Sequence, residues 1–210
     1  LKPEASTTQI ETLCNEAKQY DFASVMVNSS NVNQCYELLK DTDVKIATVI
    51  GFPLGAMSTR AKLAETRIAL EDGANEIDMV LNIGRLKEGN LDYVTSEIKA
   101  LKELVGEHIL LKVIIETCLL TEEEKINACH CVSEAKADYI KTSTGFSTGG
   151  ATAEDVALLR KHVDALVKVK ASGGVRSFED LMLMVEAGAE RIGTSSGVAL
   201  IKGNVSESSY

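Results

Sequence analysis

The chain has 210 residues, 45% hydrophobic and 25% charged, with two prolines and no tryptophan, which is enough for one globular domain with a sizeable core. A formal net charge of −9 argues against a nucleic-acid or anionic-membrane surface, since both need basic patches, so an anionic small molecule would need a local site. No run of eighteen apolar residues occurs and the opening Leu1-Lys2-Pro3-Glu4 lacks the basic start and apolar core of a signal peptide; a soluble, cytoplasmic protein is expected.

In chain order, residues 1–5 lead into a helix with no strand before it, opened by the capping sequence Ser6-Thr7-Thr8-Gln9. Seven short apolar runs follow, at 23–28, 45–52, 76–82, 109–117, 138–142, 166–171 and 191–194, each separated from the next by a stretch of helical periodicity. Further capping sequences start at Thr121, Thr152 and Ser177, each with an acidic residue three positions on. Leu63, Ile68 and Leu70 in 58–72, and Leu91, Val94, Ile98, Leu101 and Leu104 in the next helix, are spaced to cover a sheet. Gly73, Gly106 and Gly188 are placed to end helices. Strands alternating with helices imply parallel pairing with right-handed crossovers.

Seven such units, preceded by a helix that lacks its strand, predict an α/β fold of the (β/α)₈ TIM-barrel type over 1–203. The first strand is largely missing from this chain, and a polar tail covers 204–210. An open doubly wound sheet is the alternative, and the absence of Gly-x-Gly-x-x-Gly after the first strands counts against it. The five cysteines are odd in number and show no Cys-x-x-Cys spacing, so they read as reduced buried thiols. Cys129-His130-Cys131 falls in a helix-like stretch where residues two apart diverge, so no metal site is expected there.

In a barrel of this kind chemistry collects at the carboxyl ends of the strands. Lys141 lies in the short run Tyr139-Ile140-Lys141 and leads into Thr142-Ser143-Thr144-Gly145. A lysine inside a barrel is pushed toward its neutral, nucleophilic form. Moving an amine from about 10.4 to about 7 takes roughly 4.6 kcal/mol. A strand-end lysine that snorkels to solvent is the other reading. The pattern recurs one unit later with Lys170 before Ser172-Gly173-Gly174, and two ammonium groups at one height favour one of them being neutral. Lys168 shares parity with Lys170, and its direction stays open.

Asp78 stands mid-run in Glu76-Ile77-Asp78-Met79-Val80, while Lys112, Ile114 and Glu116 share one face of the next run. Asp78 is either paired with Lys112 to fill the barrel or a carboxylate that moves protons through water. The small-residue loops at Gly145, Gly173-Gly174 and Ser195-Ser196 suit a phosphate, because glycine-rich amides and Ser hydroxyls hold one without many cations.

Asn75-Glu76-Ile77-Asp78-Met79-Val80, Leu111-Lys112-Val113-Ile114-Ile115-Glu116-Thr117, Tyr139 to Gly145, Val169 to Arg176 and Arg191 to Ser196 together resemble the deoxyribose-phosphate aldolases, a resemblance that runs to about Lys202. It implies a metal-free, cofactor-independent class I aldolase acting on a sugar phosphate and aldehydes, and a homodimer or homotetramer. It implies that Lys141 forms the Schiff base, that Lys170 lowers the pKa of Lys141 and assists proton transfer, and that Asp78 relays protons with water. By the same resemblance Gly145, Gly173, Gly174, Ser195 and Ser196 bind phosphate. Met26 stands where some members carry a cysteine, which predicts less covalent trapping by unsaturated aldehydes. The terminal Tyr210 is either a proton-transfer helper on a mobile tail or part of a disordered one. A sugar-phosphate isomerase using Asp78 or Glu116 as base, and a barrel that binds sugar phosphate without turnover, are the alternatives.

Overall fold

The structure, a computed structural model, describes residues 1–203. The tail 204–210, with Tyr210, lies outside the described residues. Seven parallel strands form one sheet in sequence order: β1 (Ser24–Val27), β2 (Lys45–Ile50), β3 (Glu76–Val80), β4 (Leu110–Ile114), β5 (Tyr139–Lys141), β6 (Lys168–Ser172) and β7 (Arg191–Gly193). A doubly wound sheet would reverse its order partway, and this one does not. All seven apolar runs became strands.

The helices are α1 (Thr7–Gln19), α2 (Val32–Leu39), α3 (Thr59–Glu71), α4 (Ile83–Lys87), α5 (Leu91–Val105), α6 (Glu122–Glu134), α7 (Ala153–His162), α8 (Phe178–Glu186) and α9 (Gly197–Ile201). Reciprocal capping boxes open α1 at Ser6, α6 at Thr121 and α8 at Ser177, and the Thr152 side chain caps α7. Gly73, Gly106 and Gly188 follow their helices with φ of +106°, +70° and +110°, a region that favours glycine.

Alternation divides the strands into two populations. Val25, Ile46, Ile77, Met79, Leu111, Val113, Ile140 and Val169 join the hydrophobic core with helix residues such as Cys14, Leu39, Ala69, Ile98, Leu101, Val132 and Leu159. The alternate positions, including Glu76, Asp78, Lys112, Lys141 and Lys170, face the concave side and are buried there. The curl is visible in the contacts: Asp78 on β3 touches Lys170 on β6, and Arg191 on β7 donates to Ser24 Oγ on β1 at 3.2 Å. No β7–β1 ladder occurs among the described residues, so the two edge strands are bridged by that guanidinium.

Three expectations need correction. The stripe of α3 turned inward is Lys62, Thr66 and Ala69, whereas Leu63 and Leu70 are half-buried and Ile68 is 56% exposed. The Lys62 ammonium is satisfied internally, at Glu97 Oε2, so apolar residues do not mark the buried face. Glu116 is not on a strand: β4 ends at Ile114, and Glu116 turns with φ +55°. Cys118 is exposed; the other four thiols are buried. On α6, Cys129 and Cys131 face carbonyls of Leu159 and Leu91 while His130 points outward. No helix among the described residues is long and apolar enough to cross a membrane.

Candidate active site

Strand register explains how the site is assembled. Asp78 pairs with Lys112, Ile114 pairs with Lys141, and Lys141 pairs with Lys170. The Lys141–Lys170 row therefore stands two residues above the Asp78–Lys112 row, about 6.6 Å at the rise of a strand. That height is the reach of a lysine side chain, and both side chains use it to turn back into the barrel. Lys141 Nζ donates to Asp78 Oδ2 at 2.9 Å and Lys170 Nζ to the same oxygen at 2.8 Å. Lys112 Nζ takes the other oxygen, Oδ1, at 2.8 Å. Lys141 is only 3% exposed, so it does not snorkel.

A second carboxylate extends the cluster toward the amino ends of the strands. Glu76 Oε2 lies 2.7 Å from Lys112 Nζ, and Glu76 Oε1 accepts from Arg191 Nη2 at 3.1 Å. Four basic side chains thus surround two buried carboxylates. In so dry a site an excess of ammonium groups is unfavourable, and the relief is loss of a proton. Burial pushes Lys170 down to about 7; Asp78 opposes the shift, and Lys141 and Lys112 add to it. For Lys112, burial pulls the same way, but Asp78 and Glu76 outweigh it and raise the ammonium. Burial would raise the Asp78 carboxyl, yet Lys112, Lys141 and Lys170 hold it well below the usual range. The site therefore contains a fixed carboxylate, a fixed cation at Lys112 and an amine that gives up its proton near neutral pH.

The small-residue loops meet beside this cluster. Gly145 and Gly173 approach so closely that a Cβ on Gly173 would sit 3.8 Å from the Gly145 Cα, and Gly150 is closer still at 3.2 Å. Gly173 and Gly174 both have φ +80°. Ser172 Oγ donates to the Ser143 carbonyl at 2.7 Å, which ties the β5 and β6 loops together. Thr194 Oγ1 donates to the Val175 carbonyl at 3.1 Å and accepts from the Ser196 amide at 3.0 Å, which adds the Ser195–Ser196 loop. All five candidate phosphate residues therefore line adjoining loops at the carboxyl ends of β5, β6 and β7.

Lys168 proves to lie outside the cluster. At the amino end of β6 it is exposed, 4.0 Å from Glu190 and 6.0 Å above the Tyr139 ring. Glu116 is engaged too: both its oxygens accept from Thr144, Oε1 from the amide at 3.1 Å and Oε2 from the hydroxyl. The ion pair of Asp78 with Lys112 coexists with the contacts of Asp78 with the two other lysines. Sequence reasoning gave Lys112 no chemical role and passed over Arg191. Parity with Asp78 was the available signal for the first; for the second it was the two-residue spacing between Arg191 and Gly193, beside Lys170.

Comparison with known proteins gives a consistent result. The family model for the DeoC/LacD family aldolases matches residues 1–204. The deoxyribose-phosphate aldolase of Brevibacillus brevis is 60% identical over 97% of this chain and 91% of its own length. That of Geobacillus sp. (strain WCH70) is 57% identical over 100% of this chain and 94% of its own. The tetrameric deoxyribose phosphate aldolase from Aeropyrum pernix superposes with a TM-score of 0.87 at 33% identity, covering 96% of this chain and 85% of that one.

Proposed function

The chain belongs to the DeoC/LacD family of aldolases, and we propose that it cleaves 2-deoxy-D-ribose 5-phosphate to acetaldehyde and D-glyceraldehyde 3-phosphate through a Schiff base on Lys141. The observation that carries this reading is the shared oxygen: Asp78 Oδ2 accepts from both Lys141 and Lys170. A carboxylate in that position is placed to pass protons between the two amines.

Lys141 ends β5 at the mouth of the barrel, and its neutral amine attacks the C1 aldehyde of the open-chain sugar. Water leaves as the carbinolamine becomes an iminium, with Lys170 and Asp78 supplying and removing protons. Abstraction of the C3 hydroxyl proton then breaks the C2–C3 bond, and the electron pair moves into the iminium to give an enamine. Glyceraldehyde 3-phosphate departs, the enamine is protonated at C2, and hydrolysis frees acetaldehyde and Lys141. Lys112 stays charged and keeps Asp78 ionised throughout. Amides of Gly145, Gly173 and Gly174 and the Ser195–Ser196 loop hold the phosphate. The proposed setting is the cytoplasm and the proposed state a homo-oligomer; the Aeropyrum pernix relative is described as tetrameric.

An isomerase using Glu116 as base is less well supported, because both oxygens of that carboxylate are already bonded to Thr144. The test is incubation with acetaldehyde and borohydride, followed by peptide mass spectrometry, with 2-deoxyribose 5-phosphate as competitor. An ethyl adduct confined to Lys141 and suppressed by the sugar phosphate is expected. An unmodified Lys141, or cleavage activity that survives Lys141→Met, would sink the reading.

A further inference from the structure

Lys62 on α3 is fully buried yet stands apart from the lysines around Asp78. Its Nζ donates to the Val80 carbonyl at 2.8 Å and to Glu97 Oε2 on α5 at 2.8 Å. Glu97 Oε1 in turn accepts from Thr59 Oγ1 at 3.1 Å. Val80 is the last residue of β3, two beyond Asp78. The last β2–β3 pair is Ile50–Met79, and β2 then leaves the sheet as Gly51 turns with φ +65°. The Gly51 amide is used elsewhere, on Glu65 Oε2 of α3 at 2.8 Å. The Lys62 stem fills the space beside Gly51, where a Cβ would meet its Cε at 2.8 Å. A helix side chain thus donates to β3 at the point where its neighbouring strand has turned away.

An apolar pair would fill this space with as much stability or more, because desolvating two ions offsets most of their attraction. The ammonium does something an apolar side chain cannot: it grips a backbone oxygen at the end of the strand that carries Asp78. We infer that Lys62 is a positioning residue for the aldol reaction, fixing through the Val80 carbonyl the height of Asp78 against Lys141 and Lys170. Height matters because one oxygen, Asp78 Oδ2, serves both amines at 2.9 and 2.8 Å. A shift of about 1 Å toward either would take the other beyond hydrogen-bond range. The inference rests on the Schiff-base reading above.

The test compares the full chain with Lys62→Met, Lys62→Met/Glu97→Leu and Glu97→Gln. The double variant removes both charges together, so it keeps the fold even if the single Lys62→Met, which strands a buried carboxylate, does not. Its melting temperature is expected to fall by a few degrees, because the Val80 carbonyl loses its donor, and its KM to match the unsubstituted chain while kcat falls about 10- to 100-fold, the scale of a 1 Å misplacement. Glu97→Gln leaves the Val80 hydrogen bond in place and keeps most of its kcat. A double variant with unchanged kcat, or a Glu97→Gln variant as slow as the double, overturns the inference. Borohydride trapping on the same samples separates the two readings: where the unsubstituted chain carries an adduct on Lys141, the kcat comparison alone decides the role of Lys62, and where it carries none, both readings fall.

Discussion

Gly193 on β7 lies against the side chain of Lys170, and a Cβ built on Gly193 would come within 3.2 Å of Lys170 Cε. It would also meet Ser172 Cβ at 3.1 Å. The missing side chain is therefore room for the lysine. Gly193→Ala forces Lys170 to move by a few tenths of an ångström, and a kcat loss of about tenfold is expected, in line with the sensitivity of reacting groups to misplacement. Steady-state kinetics beside thermal unfolding tests this; an alanine variant with unchanged kcat means that Lys170 has slack.

Asp78→Asn removes a carboxylate that faces three lysines. Stability should fall by about 3–5 kcal/mol, the cost of leaving buried charges unpaired. Cleavage should slow by about 100- to 10,000-fold if the carboxylate carries protons. Urea unfolding and single-turnover cleavage read the two effects separately. A variant that loses stability but keeps its rate assigns Asp78 to structure alone.

Lys170 gives a pH dependence with a definite sign. Its folded-state value of about 7 lies below the ordinary 10.5, so between those values the folded chain holds fewer protons than the unfolded one. The stability owed to this group is complete above 10.5 and is lost as pH falls to about 7. The difference in unfolding free energy between the unsubstituted chain and Lys170→Met should rise with pH across that window, by at most about 1.36 kcal/mol per unit. Subtracting the variant cancels the thiols, tyrosines and the lysines that do not touch Asp78. A flat difference curve would show that Lys170 titrates as an ordinary lysine.

Gly173 has φ +80° and packs on the Gly150 Cα. Alanine in that left-handed region costs about 1–2 kcal/mol, so Gly173→Ala should distort the loop and raise KM for 2-deoxyribose 5-phosphate roughly tenfold. Cleavage of unphosphorylated 2-deoxyribose should be unaffected. Equal losses on both substrates would remove this loop from phosphate binding.

Much of the molecule was legible in the residues. Each apolar run became a strand because its length and β-branched content suit little else, and hydroxyl-initiated capping sequences at Ser6, Thr121, Thr152 and Ser177 fixed where four helices begin. Period-two alternation put Glu76 and Asp78 on one face, whereas the choice between a buried and a snorkelling Lys141 was made by the fold, which leaves it 3% exposed. The reading failed on α3, where the buried stripe is polar and paired, and at Glu116, where a left-handed residue ends the alternation.

Local periodicity decides which residues share a face, and so the sequence alone determined the strand-forming runs, the helix starts and the shared face of Glu76 and Asp78. Which inward groups touch across the barrel was decided by the tertiary structure. Asp78 meets Lys170 three strands away because the sheet curls, and both lysines reach down to it because register raises their row above its own. Arg191 finds Glu76, and Lys62 finds Val80 and Glu97, by the same means. Curl and stagger are sums of small twists over many residues, and no single stretch of sequence records them.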